Sequence, residues 1–153
     1  MSAAVAGQIF GFLFEKEKPL YKATIDALVK KRNLRPVFIE RKPREERFVW
    51  MKEALGRAVN DTVAAQLLQV WLTGAHSVML CDFLDALGIA HDEKGMVESM
   101  PPAPAKEKIA AAVEMLFSKY DRGVVAVYLQ VFQSFNDGGG WADLEEIMRK
   151  HEV

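Results

Sequence analysis

The sequence predicts an all-α protein: a compact six- to seven-helix bundle made by imperfect duplication of a three-helix unit of about 60 residues. Three observations carry that reading. Apolar residues recur at helical spacing along most of the chain, prolines fall where helices would begin, and the chain resembles itself when slid along its own length. Moving it by 61 residues (104 − 43) sets Pro43 on Pro104, Glu46 on Glu107, Arg47 on Lys108, Glu53 on Glu114 and Leu55 on Leu116. The same shift sets Leu68, Gln69, Val70 and Trp71 on Leu129, Gln130, Val131 and Phe132, and Asp82 on Asp143. The period differs from those of the tetratricopeptide, ankyrin and armadillo repeats.

The expected organisation is one domain over residues 1–153. It has an N-terminal apolar arm (1–18), a first copy (20–80), a second copy (81–140) and a terminal helix (141–153). Ile9, Phe10, Phe12, Leu13 and Phe14 make the arm a hazard in water, so it must dock. Its own core is the expected dock, and exchange between subunits is the alternative. Gly7, Gln8 and Gly11 interrupt the apolar run and no basic residue precedes it, which argues against both a membrane span and a secretory leader. With a single cysteine, Cys81, the chain reads as cytoplasmic.

The first helix of the copy covers 20–32, with Leu20, Ala23, Ile25, Ala27 and Leu28 at near-helical spacing and a basic end suited to the helix dipole. The linker 34–42 breaks the period, and Val37, Phe38 and Ile39 suggest an extended segment at 36–40, with a counterpart at 96–99. Pro43 opens the next helix, whose face is Phe48, Met51, Leu55 and Val59. Asn60 or Asp61 caps a third helix, apolar nearly all round, that should be buried. Thr73, Gly74 and Ala75 are expected to form a corner into a fourth helix that stops at Gly88. Pro101, Pro102 and Pro104 precede the second proline-led helix, and residues 136–140 read as a turn.

Half of the residues are apolar and 27% are charged, which fits a globular chain, and the net charge of −1 excludes a uniformly basic nucleic-acid binder. A local basic stretch remains. Residues 30–47 hold Lys30, Lys31, Arg32, Arg35, Arg41, Lys42, Arg44 and Arg47 against Glu40, Glu45 and Glu46. Clustered guanidinium groups bind carboxylates and phosphates, so Lys31, Arg32, Arg35, Arg41, Arg44, Arg47 and neighbouring Trp50 are the candidate partner-binding residues. The matching stretch of the second copy inverts the charge: Asp82, Asp85, Asp92, Glu93 and Glu98 against Lys94. Such an inversion can join two copies in a homodimer or steady one molecule.

Catalysis finds little support. His76, Cys81, Asp82, Asp85 and His91 are the only grouping with nucleophile, base and acid types, yet five positions of helix turn His76 away from Cys81. A helix-turn-helix around Gly74 would present Asp82 and Asp85 to phosphate, which repels it. The run Asp137, Gly138, Gly139, Gly140 lacks the Lys and Ser or Thr of a phosphate-binding loop. No cofactor motif or metal-ligand spacing stands out. Gln69 and Gln130 must find polar partners if they are buried. The function expected is therefore that of a helical protein-interaction or scaffold module that also self-associates. The alternatives are nucleic-acid or anionic-ligand binding through 30–47, and a small-molecule site near His76 and Asp82.

Overall fold

The computed structural model describes residues 2–57, 61–99, 101–134 and 140–153. Among these are nine α-helices and no strand: α1 (Ala3–Lys16), α2 (Lys18–Lys31), α3 (Pro36–Glu40), α4 (Arg44–Arg57), α5 (Asp61–Ala75), α6 (Ser77–Leu87), α7 (Lys106–Lys119), α8 (Arg122–Ser134) and α9 (Ala142–Lys150). The all-α prediction holds. None of the described helices is long and apolar enough to cross a membrane alone. The chain divides into two compact units, Met1–Trp71 and Leu72–Val153, with the boundary inside α5.

Three local expectations are corrected. Residues 36–40 are helical, because Pro36 sits where its fixed φ and missing N–H start a helix, outweighing the β-branched Val37 and Ile39. Residues 96–99 form no strand either. The corner expected at Thr73–Ala75 is still α5; the chain breaks at His76, the residue before α6. Val59, Asn60 and residues 136–139 of the expected turn lie outside the described residues. The duplication is not established by the arrangement of helices.

In the first unit α1 packs on α2 and α4, and α2 packs on α3 and α4. The arm is thus a helix. The Ser2 hydroxyl oxygen accepts from the Val5 N–H at 3.2 Å, satisfying a donor that the first turn leaves open. Val5, Ala6, Ile9, Phe10 and Leu13 then share one buried face. Phe10 lies 5.8 Å from the ring of Phe48, Phe14 meets Tyr21 edge-on at 5.3 Å, and Tyr21 meets Phe48 edge-on at 6.4 Å. The arm docks on its own chain. Met51 and Ala54 of α4 are fully buried, and Leu67 and Trp71 of α5 lie in the same half of the sequence.

In the second unit α7 touches α6, α8 and α9, and α8 touches α9. Ile109, Ala112, Val113 and Leu116 repeat at helical spacing and supply the buried stripe of α7. Phe83 packs edge-on to Tyr128 at 5.5 Å and Phe132 at 5.4 Å, and Phe132 does so to Trp141 at 5.2 Å. Asp121 starts α8 by accepting from the N–H groups of Gly123 and Val124. The Gln133 amide holds the entry to α9, donating to the Trp141 carbonyl and accepting from its N–H, both at 3.1 Å. Lys106 reaches Glu146 of α9 at 2.5 Å, which with Lys150 draws that carboxyl down to about 2. The two matched glutamines Gln69 and Gln130 are exposed, so burial makes no demand on them.

Three helix ends use the same device, the third at Glu152 (φ 58°) after α9. At Gly88 (φ 68°) the Ile89 N–H reaches back to Leu84 O and the Gly88 N–H to Asp85 O, the double closure that ends helices with a left-handed residue. At Asn33 (φ 51°) the Leu34 N–H bonds Val29 O and the Asn33 N–H bonds Lys30 O. Glycines elsewhere divide by environment. Gly7, inside α1, has nothing within 4 Å of where a Cβ would stand, whereas at Gly95 (φ 75°) that atom would fall 2.4 Å from Leu80 Cβ. Gly7→Ala should therefore raise the unfolding free energy by about 0.5–1 kcal/mol. Gly95→Ala should lower it by about 1–3 kcal/mol, both read by chemical denaturation. Leu13→Ala, at a fully buried position, should cost about 2–5 kcal/mol in the same assay.

Candidate functional site

The basic stretch 30–47 runs from the last turn of α2, through α3, into the first turns of α4. The structure sorts its eight cations into two sets. Arg44 is held by Glu15 at 2.9 Å and lies over the rings of Phe14 (5.0 Å) and Phe48 (5.4 Å). Arg47 lies over Phe14 at 5.7 Å, and its guanidinium stands beside the Tyr21 hydroxyl. Burial is what pushes the Tyr21 phenol up, against the pull of Arg47 and Arg44. Lys42 pairs with Glu46 at 3.4 Å, one helical turn on. Arg32 stands over the Trp50 ring at 5.6 Å, so this pair joins the end of α2 to α4. Three of these cations thus link helices of the unit, and Lys42 is paired locally. Lys30, Lys31, Arg35 and Arg41 are exposed and make no ion pair among the described residues.

Around those four the surface is apolar. Asn33 turns the chain out of α2, and Leu34, the next residue, is 40% exposed. Helix α3 buries Ile39 alone and leaves Val37 at 40% and Phe38 at 60% exposure, so its apolar residues face water. Phe38 is three positions from both Arg35 and Arg41, hence on their side of the turn. Of the predicted partner-binding residues, Lys31, Arg35 and Arg41 belong to this face. Arg32 and Trp50 are engaged with each other, and Arg44 and Arg47 are taken up by α1. Sequence reasoning missed Leu34, Val37 and Phe38. Pro36 in a five-residue apolar segment was the available signal, because a helix that short turns only one face inward.

In the second unit the structure brings His91 and Asp85 of the catalytic grouping together, while Asp82 and Cys81 are engaged with other partners. Asp82 accepts from Lys119 at 2.5 Å and from the Tyr120 hydroxyl, and these bonds hold its carboxyl below the ordinary range. The Cys81 thiol donates weakly to the carbonyls of Asp92 and Glu93, at 3.8 and 3.7 Å. Burial first, then Asp85, Asp92 and Asp82, raise its pKa, the reverse of what a nucleophilic thiol needs. His76 is half-buried and its pKa is lowered by burial. Among the described residues no cluster of three or more His, Cys, Asp or Glu could hold a metal ion. An open cleft of about 850 Å³ runs along the proline linker, lined by Leu87, Ile89, His91, Met96 and Glu98 among others. It touches neither His76 nor Asp82.

The loop after α6 is closely built. The Asp92 carboxylate accepts from the N–H groups of Lys94 (2.9 Å) and Met96 (2.8 Å), and Gly95 rests against Leu80 and Cys81 of α6. His91 closes it: Nδ1 is 2.7 Å from the Asp92 carbonyl and Nε2 is 3.2 Å from the Asp85 carboxylate. Both partners are acceptors, so the arrangement favours the imidazolium, the form of the ring that carries two N–H groups.

No family model matches the chain, and comparison with curated proteins and with solved structures gives no match either.

The Asp92 carbonyl bond and then the Asp85 bond hold the His91 pKa above the ordinary histidine value. A raised folded-state pKa gives stability that is complete below the unfolded value, about 6.5, and fades as pH rises through the folded value. His76 works in the opposite sense, its contribution being lost as pH falls, so a local probe is needed. Amide hydrogen exchange at residues 92–96, corrected for intrinsic rates, should lose protection as pH climbs through the His91 titration. His91→Phe should flatten that dependence; protection equal at both ends in the unaltered chain would contradict the charged-bridge reading.

Proposed function

We propose that this chain is a protein-interaction module whose contact surface is the α2–α3 turn and α3, with Leu34, Val37 and Phe38 as apolar anchors inside a ring of Lys30, Lys31, Arg35 and Arg41. The observation that carries the reading is the 60% exposure of Phe38 between two arginines that no carboxylate neutralises. A large ring held in water beside unpaired guanidinium groups suits a partner with an apolar side chain flanked by Asp or Glu. The cations would set its orientation and speed its arrival, while the ring would supply the buried contact. The side chains that nucleophilic catalysis would need are committed to other bonds, which favours a binding role.

A second reading rests on the same residue. An aromatic ring flanked by arginines can stack an unpaired base, so single-stranded nucleic acid is the rival ligand. Only four cations are available to it, however, and the chain as a whole carries a net charge of −1.

Selection from a random peptide display library against the full chain should enrich peptides with Asp or Glu around an apolar anchor. Phe38→Ser should weaken their binding by roughly tenfold or more. Peptides without acidic bias, or binding indifferent to Phe38→Ser, would overturn the proposal. Tight binding of oligonucleotides that weakens steeply with added salt would instead establish the rival.

A further inference from the structure

The second unit carries a face that complements the first. Val78 on α6 is 66% exposed, and Asp82, paired with Lys119, and Asp85, paired with His91, follow it at four and seven positions on the same side of the helix. The loop 91–96 lies against α6 at Leu80 and Cys81, within one turn of Val78, and adds the exposed Asp92 and Glu93. Met96, at 39% exposure, lies at its end. Apolar side chains bordered by Asp92 and by Glu93, which makes no ion pair among the described residues, with Lys94 beside them, are the chemistry required of an occupant for the α3 face, and this chain presents it itself.

We propose that the chain self-associates, the Leu34–Val37–Phe38 face of one copy seating on the Val78–Glu93 face of a second copy. The inference rests on the reading of the α3 face as a protein-binding surface and names its partner. Lys31, Arg35 and Arg41 on one side meet Asp92 and Glu93 on the other, so the charges that repel each face from itself attract it to its counterpart. A net charge of −1 leaves little overall repulsion between copies. Two copies that exchange both faces close into an isologous dimer, whereas a contact made through one face of each copy is heterologous and extends.

Sedimentation equilibrium of the full chain tests this directly. The mass should rise above the 17.2 kDa monomer with concentration. The association constant should fall tenfold or more as salt goes from about 50 to 500 mM, where screening shortens the reach of charge. Arg35→Glu/Arg41→Glu and Val78→Lys/Glu93→Lys alter exposed side chains that make no ion pair in the structure, and each variant alone should stay monomeric. Mixed in equal amounts they should associate again, because each then offers a face of the sign that the other lacks. A wild-type chain that remains monomeric throughout, or a mixture that does, overturns the inference. Acidic peptides that still bind in a Phe38-dependent way would then leave the protein-binding function standing without self-association, while loss of both would remove the two together. Since both variants could fail by misfolding, circular dichroism accompanies them, and Phe38→Ser alone, at an exposed position, must also weaken the wild-type association.

Discussion

The placement of Arg44 governs what the first unit shows to solvent. Its guanidinium is stacked on Phe14 and Phe48 and tied to Glu15, so one side chain fastens the amphipathic α1 to α4. The apolar face of that helix, Val5, Ala6, Ile9, Phe10 and Leu13, is buried in the unit, and Arg47 adds a second cation over Phe14. Arginine suits the position because its planar, weakly hydrated head can lie on a ring and still reach a carboxylate. Once these residues, with Lys42 and Arg32, are committed, the charge left for recognition sits at the α2–α3 turn. What is free follows from what had to be fixed.

The second unit solves a different problem, that of joining short helices through a long proline-bearing connection. Its answers are polar and local: Asp121 at the start of α8, the Gln133 amide at the start of α9, and the Asp92 carboxylate folding the loop upon itself. Lys106 adds a longer link from the start of α7 to Glu146. Cys81 belongs to this scheme as a small, inward-turned side chain against the loop carbonyls. Its neighbours are carboxylates, so its environment is that of a packed thiol rather than a reactive one.

Much of the fold was legible because long amphipathic segments leave a periodic trace. The stop at Gly88, the proline-led start of α4 and the buried stripe of α7 could each be read from residue type and spacing. The short helix α3 could not, since Val37 and Ile39 carry a β preference and five residues give periodicity no room to show. The candidate surface was half legible. Charge counting found the stretch 30–47, but it counts Arg35 and Arg44 alike. Only the fold shows that one is free and the other lies between two rings. Exposure of Phe38 was invisible for a similar reason: hydrophobicity indicates that a side chain gains from burial, not whether the backbone has turned it outward.

The left-handed residues at Asn33 and Gly88 have a consequence for how such a chain can vary. Each ends its helix by backbone bonds from two successive N–H groups, with no help from the side chains that follow. The stop is therefore written in one residue, and the helix end does not depend on the charge of the segment downstream, even where, as at Asp92, that segment folds on bonds of its own. One such segment has filled with arginine and the other with aspartate and glutamate, while the helices before them end in the same geometry. Punctuation of this kind lets neighbouring surface drift in charge without disturbing the frame that carries it.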